Sequence, residues 1–373
     1  MQSGEAVTHS GRKMRSVIAS NLMMYTPTRP ASSLRSRERP VARFAWATLC
    51  CNVAVVLWGA YVRATGSGAG CGNKWPLCGG DVLSTSARSQ TIIEFTHRMT
   101  SGIALLMVAT LVAWCWRVTS RRGWARWSAV LAAVFLANEA LLGASLVLLD
   151  HVAQDKSASR VVFLCLHFGN TLLLLATLSL TAAWLSKGGE GFTLIRKPRE
   201  VITIGVGLVA TMLIGITGAV AALGDTLFPA TSLLASVLHD FSPGAPTLLH
   251  FRLLHPMVAV IAAGYILWVI GRASHRQGHL SKLAVGLVVL LSAQLSIGIL
   301  NVLLLTPVWL QILHLLVGDV FWIALVLASA DLLVVNAGKI GNHQPRGVVP
   351  GKAGASHTQV SEHSMLIRKS RRS

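Results

Sequence analysis

Charged side chains are scarce in this chain. Of its 373 residues only 13% are Asp, Glu, Lys or Arg, while 53% are hydrophobic and the mean hydropathy is +0.59. A soluble domain keeps roughly a quarter of its residues charged, so the scarcity excludes an ordinary water-exposed surface. Acids are scarcer still, 14 against 33 Lys and Arg, which leaves a formal net charge of +19. That excess would suit nucleic-acid binding only if the cations gathered on a folded face, and they do not. The apolar stretches also lack the carboxylate cage or cysteine cluster that completes a zinc or copper site.

What the chain has in abundance is long apolar runs. A helix needs about 20 such residues to cross the hydrocarbon core. Eight runs qualify, at 44–63, 94–116, 127–149, 161–185, 201–223, 249–270, 283–305 and 308–335. Cations fall on every second connection. The segment 1–43 carries eight Lys or Arg, the segment from Val335 onward seven, and the connection 117–126 has Arg117, Arg121, Arg122 and Arg126 with no acid. Lys187, Arg196, Lys197 and Arg199, then Arg272, Arg276 and Lys282, continue the series. The alternate connections hold only Lys74, Arg88, Lys156 and Arg160, and 224–248 holds no cation. This is the positive-inside pattern, and it places both termini in the cytoplasm. The basic ends then read as disordered segments at the membrane surface, with no nucleic-acid partner. The Ser- and Arg-rich, acid-poor start also has the composition of a mitochondrial transit peptide.

The spans repeat. Trp58-Gly59-Ala60-Tyr61-Val62 closes the first and Thr217-Gly218-Ala219-Val220-Ala221 the fifth. Glu94-Phe95-Thr96-His97-Arg98-Met99 opens the second, and Arg252-Leu253-Leu254-His255-Pro256-Met257 the sixth. Glu139 stands four residues before Gly143 in the third, as Gln294 stands before Gly298 in the seventh. Leu166-His167 and Leu313-His314 mark the fourth and eighth. Four spans per unit preserve orientation, so the halves form a parallel repeat about an axis along the membrane normal. The expected fold is an all-α integral membrane protein of eight transmembrane helices in two parallel-repeat four-helix bundles. Its parts are 1–43, a basic tail; 44–185, the first repeat; 201–335, the second; and 336–373, a second basic tail.

His97, His167, His255 and His314 lie inside the spans, all near the outer ends of even-numbered helices. One such histidine could simply hydrogen-bond a neighbouring helix. Two pairs at matching depth, one per bundle, are instead the usual means of holding a haem iron from both sides. Glu94 lies three positions before His97 and so shares its helix face. It could cap the helix, but the equivalent position in the second half is Arg252, so one half has an acid beside its histidine and the other a base. Arg98 and Arg252 could pair with haem propionates. Glu139 and Asp319 are further intramembrane acids, suited either to hydrogen bonding with a neighbour such as Asn138 or Arg63 or to proton relay.

Cys50, Cys51, Cys115 and Cys165 lie in the spans and read as small core residues. Cys71 and Cys78 lie close together in the first outer connection, facing an oxidising compartment, and are expected to form a disulfide, the alternative being a pair of free thiols.

Val62-Arg63-Ala64-Thr65-Gly66-Ser67-Gly68, then Cys71, Trp75-Pro76 and Cys78, then Glu94-Phe95-Thr96-His97-Arg98, resemble the haem A synthase family. Gly224-Asp225-Thr226-Leu227-Phe228-Pro229, Arg252-Leu253-Leu254-His255-Pro256 and Gln311-Ile312-Leu313-His314 extend the resemblance over roughly 44–335. The cysteine pair points to the bacterial branch, and so to a multi-pass protein of a bacterial cytoplasmic membrane rather than an imported one. Two departures stand out. Asn73-Lys74 occupy a place where many members have an Asp, and 224–248 lacks the second cysteine pair of some members.

The resemblance implies an oxidoreductase that converts the methyl group of haem O to the formyl of haem A for terminal oxidases, with haem b as resident cofactor and water as the oxygen source. His97 and His167 would then ligate the substrate haem, with Glu94 as the catalytic carboxylate, and His255 and His314 would ligate haem b. Implied partners are the farnesyltransferase that makes haem O, an electron acceptor of unknown identity and the lipid bilayer, and a homo-oligomer is compatible with the pattern. A bis-histidine cytochrome for quinol-linked electron transfer would explain the histidines equally well, though not the Glu94/Arg252 asymmetry or the cysteine loop. A transporter would leave the matched depth of the histidines without a reason.

Overall fold

A computed structural model describes residues 31–336, apart from 73, 77, 79–88, 120–122, 189–191, 195–197 and 278–280. Most of both basic tails, and Arg88, Arg121, Arg122, Arg196 and Lys197, lie outside the described residues. Among the described residues eight helices are long and apolar enough to cross a membrane, as a chain with no water to satisfy its backbone requires. They belong to α1 (Ala31–Ala64), α2 (Ser89–Val118), α3 (Trp124–Leu148), α4 (Ala158–Ser186), α5 (Pro198–Leu227), α7 (Thr247–Gln277), α8 (Lys282–Leu303) and α9 (Val308–Leu333). A short α6 (Leu233–Asp240) lies in the connection between α5 and α7. The strands β1 (Phe192–Leu194) and β2 (Val334–Asn336) pair antiparallel.

Helix α1 extends upstream of the first apolar run, through part of the segment expected to be a disordered tail. The reason is burial: Glu38, Val41, Ala42 and Ala45 are all covered, so one face of this stretch packs inside the protein despite its arginines. Pro40 is accommodated within it.

The first four spanning helices pack in a ring, α1 on α2, α2 on α3, α3 on α4 and α4 back on α1. The second four follow the same order, α5 on α7, α7 on α8, α8 on α9 and α9 on α5. Between the rings, α1 and α4 meet α5 and α9. The ends of α3 and α8 also match. His151 N donates to Leu146 O (2.8 Å) with Asp150 at φ 55°, and Thr306 N donates to Asn301 O (2.7 Å) with Leu305 at φ 58°. Both are the left-handed helix stop that glycine usually supplies.

The start of α4 is fixed by Ser157, whose Oγ accepts from Arg160 N (3.2 Å). Burial alone would raise the Asp155 carboxyl, but hydrogen bonds from Ser157 and His151 outweigh it and hold the group below its ordinary value.

The main core lies in the first ring. Val41, Ala45 and Leu49 of α1, Val108, Leu111 and Cys115 of α2, and Leu174, Leu175 and Leu178 of α4 form one cluster. Ala125, Ala129 and Ala132 of α3 join it, their small side chains allowing α3 and α4 close approach. Of the four cysteines expected in the core only Cys115 is buried; Cys51 and Cys165 are partly covered and Cys50 faces outward. Their spans are covered on one side only, and the residue type did not reveal which side each occupies.

Candidate functional site

The four histidines sit at comparable depth. Counted from their helix starts at Ser89, Ala158, Thr247 and Val308, they lie roughly 9–14 Å along the axis. Each ring rests against a glycine of the preceding span. A Cβ on Gly59 would lie 3.0 Å from His97 Cε1, on Gly143 3.6 Å from His167 Cε1, on Gly218 3.0 Å from His255 Cε1 and on Gly298 3.1 Å from His314 Cε1. At three of these positions a Cβ would crowd the imidazole and the ring would have to give by a few tenths of an ångström, while at Gly143 a Cβ would be in ordinary contact. The repeat pattern had matched these glycines in sequence; their function as seats for the rings needed the structure.

His255 and His314 have ring centroids 6.4 Å apart with planes at 87°. An imidazole–metal bond of about 2 Å on each side places two centroids roughly 6 Å apart, so one iron fits between them. His97 lies within electrostatic reach of His167. The Nδ1 atoms of His97, His167 and His314 are buried without a hydrogen-bond partner, which is costly unless something answers them. His255 Nδ1 has Thr217 Oγ1 at 3.3 Å. Among the described residues no group of three or more His, Cys, Asp or Glu is placed to cage a metal ion, so each site offers two protein ligands.

Glu94 is 3% exposed and fully engaged. Its Oε2 accepts from Cys71 N (2.7 Å) and its Oε1 from Arg98 Nη2 (2.5 Å). Arg98 Nη1 in turn donates to Lys74 O (2.6 Å) and Pro76 O (3.2 Å). Cys71 and Cys78 are joined by a disulfide with Cα atoms 4.6 Å apart, so the acid, the arginine and the cysteine loop form one unit. Gly70 is part of the same closure: a Cβ there would lie 2.4 Å from Gln90 O, and Thr91 Oγ1 donates to Gly70 O (2.7 Å).

In the second half Arg252 stands where Glu94 stands in the first, with the opposite sign and the same task. It donates from Nη1 to Asp225 Oδ1 (3.0 Å), from Nε to Asp240 Oδ2 (3.1 Å) and from Nη2 to Ser236 Oγ (2.9 Å), tying α6 and the end of α5 to α7. Asp240 was not singled out from sequence. The signal was available: the connection 224–248 contains Asp225 and Asp240 and no cation, so both acids needed one from elsewhere. Both arginines expected to meet propionates thus already hold a connecting loop.

Glu139 does not reach Asn138 or Arg63 as expected. Its Oε2 accepts from Asn170 Nδ2 (2.6 Å), its Oε1 accepts from Thr171 Oγ1, and that same oxygen lies 3.4 Å from His167 Nδ1. Arg63 instead bridges the halves, donating to Ala222 O (2.5 Å), Thr226 Oγ1 (2.9 Å) and Gln311 Oε1 (3.1 Å). Asp319 is buried with Oδ2 unpaired.

Eight apolar helices with two histidine pairs seated on glycines define a multi-pass membrane protein whose sites each offer two imidazoles. The cytochrome oxidase assembly protein family COX15-CtaA matches residues 42–326, and the chain belongs to it. A protohaem IX farnesyltransferase of Thermus thermophilus is 43% identical over 302 residues, 80% of this chain and 50% of that protein. The haem A synthase of Halalkalibacterium halodurans is 38% identical over 138 residues, 37% of this chain and 44% of that one. That of Listeria monocytogenes is 27% identical over 267 residues, 68% of this chain and 83% of that one. The chain thus spans about half the length of the Thermus relative.

Proposed function

We propose that this protein is a haem A synthase of a bacterial cytoplasmic membrane, with both termini cytoplasmic, oxidising the methyl group of haem O to a formyl. The observation that carries the reading is the pairing of four histidines, one pair in each ring of four helices, every ring seated against a glycine. Family membership and the haem A synthase relatives support the chemistry. The matching helix order and the matching ends of α3 and α8 support the two-repeat division.

In this reading His97 and His167 hold the substrate, haem O, and His255 and His314 hold haem b. The bound haem b supplies a one-electron couple for removing the electrons of the oxidation. Glu94 sits at the mouth of the first site, where a carboxylate can stabilise an electron-poor porphyrin carbon or take its proton. Its bonds to Cys71 N and Arg98 fix the carboxylate in place. The glycine seats position the imidazoles, and the outer loops held by Arg98 and Arg252 close the sites from above. Haem O would come from a farnesyltransferase, a partnership supported by the Thermus relative, of which this chain matches only half. The electrons pass on to a separate acceptor.

The test is to extract the haem from purified protein. Haem O or haem A beside haem b supports the synthase, whereas haem b alone at both sites indicates an electron-transfer cytochrome and refutes it. Glu94→Gln should keep both haems yet make little or no haem A in cells. A normal yield of haem A from that variant would reduce Glu94 to a loop anchor.

A further inference from the structure

The intramembrane acid Glu139 lies beside a histidine and outside the chemistry assigned above. Its partners come from the helix that carries that histidine: Asn170 and Thr171 stand three and four residues after His167 in α4. Asn170 Nδ2 also donates to Phe135 O (2.8 Å), which locks the clamp to α3. The two carboxylate oxygens are thus held from α4, with Oε1 left 3.4 Å from the buried, otherwise unpartnered Nδ1 of His167.

The second half keeps the positions and changes the chemistry. Gln294 replaces the acid, four residues before Gly298 as Glu139 is before Gly143. Its Nε2 lies 3.3 Å from His314 Nε2, not from the Nδ1 that corresponds to the nitrogen Glu139 approaches on His167, and both His314 Nδ1 and Gln294 Oε1 are buried without a partner. The places of Asn170 and Thr171 are taken by Val317 and Gly318, which bring no side-chain donor. A Cβ on Gly318 would lie 3.1 Å from Gln294 Nε2, so the amide fills the space where Thr171 holds the acid. Acid and clamp are present together in one half and absent together in the other.

A carboxylate accepting the second ring N–H of an iron-ligating histidine makes that ligand more electron-donating and favours the ferric state. Gln294 meets His314 through an amide N–H donor and accepts no ring N–H, so it gives no such push. Resting on the haem-ligating reading above, we infer that Glu139 is a positioning residue that acts through His167 to hold the first site at a lower reduction potential than the second. With iron held by His97 and His167 and by His255 and His314, an electron passing from the first pair (ferrous to ferric) to the second (ferric to ferrous) would run downhill, and no further reactant would be needed to balance that transfer. The carboxylate–amide difference gives electron flow its direction, from the half that holds the substrate to the half that holds the cofactor.

The experiment uses the full-length protein in detergent, loaded with iron protoporphyrin IX as probe. His314→Ala isolates the first site and His167→Ala the second. Redox midpoints are read optically, and the low-spin ferric signal by electron paramagnetic resonance. Groups that hydrogen-bond the far nitrogen of a metal-ligating histidine are worth about tenfold or more, so Glu139→Gln should raise the ferrous-to-ferric ratio of the first site about tenfold, a midpoint shift of about 59 mV upward. Gln294→Glu should shift the second site downward. A merely structural Glu139 would leave the midpoint and the resonance signal of the loaded site in place, and unchanged values in both variants overturn the inference. Should Glu139→Gln not load, Gln294→Glu at the second site decides the matter alone. Failure of the unmutated protein to take up the probe at either pair is a different result, which overturns the haem-ligating reading and this inference with it.

Discussion

The two rings of four helices share their plan near the histidines and part company at the other end. Matched helices are buried to similar extents in their most apolar windows, 39% in α4 against 33% in α9 and 17% in α3 against 11% in α8, so the difference lies in how the cores are joined. The first ring has a continuous core across all four of its helices. The second has a small cluster of Ala263, Ile266, Leu287, Leu291, Phe321 and Ala328. Beside it lies a cavity of about 100 Å³, lined in part by Gly207, Ala284 and Ser329 and distant from His255 and His314. Near the histidines, by contrast, both rings use glycine seats and a charged residue three positions ahead of the first histidine to hold the adjoining loop. What the halves have in common is the geometry of a site rather than a manner of packing. Their differences in charge, Glu94 against Arg252 and Glu139 against Gln294, fall on positions that surround that site.

The largest effect should come from breaking the pairs. His255→Ala and His314→Ala are expected to abolish the resident haem b, while His97→Ala and His167→Ala leave it largely in place, since each pair serves one ring. Haem content of the purified variants measures this. Full haem b in His255→Ala protein would remove the distinction between a substrate half and a cofactor half.

Much of this comparison was legible in the sequence. Apolar length alone yields the spans, and repeat offsets yield His97, His167, His255 and His314 with their glycines, because helical periodicity and a shared depth are local properties. The side-chain partners were not legible. Glu139 and Thr171 are far apart in the chain, and which face of α3 meets α4 depends on the alanine stripe packing, not on either residue. The same holds for Arg63, which finds Ala222, Thr226 and Gln311 in the other half. The helical extension of α1 was hidden because its arginines mask the apolar face formed by Val41, Ala42 and Ala45.

The outer anchors should break unequally. Arg252→Gln leaves Asp240 without its cation and Asp225 with only the more distant Arg63, and removing one partner of a largely covered ion cluster costs about 3 kcal/mol. Arg98→Gln leaves Glu94 with the Cys71 N–H it already holds, so the loss there should be about half as large. Thermal unfolding in detergent compares the two, and an equal or reversed order would show that the Cys71 N–H does not compensate Glu94 for the lost cation.

A smaller effect concerns the disulfide, which only the first half possesses among the described residues. Mass spectrometry of unreduced peptides should find Cys71 and Cys78 linked. The bridge closes a short loop, so Cys71→Ala with Cys78→Ala should lower stability by about 2–3 kcal/mol at most. Because Arg98 also grips the loop through Lys74 O and Pro76 O, part of its shape should survive. Two free thiols in the native protein would remove the covalent difference between the halves.

The finest comparison uses a single methyl group. Gly143 and Gly298 occupy matching positions, four residues after Glu139 and Gln294, and each faces the ring of the last histidine in its half. A Cβ at Gly298 would come within 3.1 Å of His314 Cε1, closer than side chains ordinarily approach, whereas at Gly143 the gap to His167 Cε1 is 3.6 Å, an ordinary contact. The ring of His314 can yield only by turning, and Gln294 Nε2 stands 3.3 Å from one of its nitrogens. Gly298→Ala should therefore shift the imidazole and loosen haem at the second site, at an overpacking cost of about 1–3 kcal/mol. Gly143→Ala should leave the first site intact and, by filling space in a helix, leave stability within about 1 kcal/mol of the parent. Haem affinity by optical titration, with thermal unfolding as a control, separates the two. Equal effects of the two alanines would mean that the rings are held by their ligand partners alone and that the glycines serve only to bring the helices together.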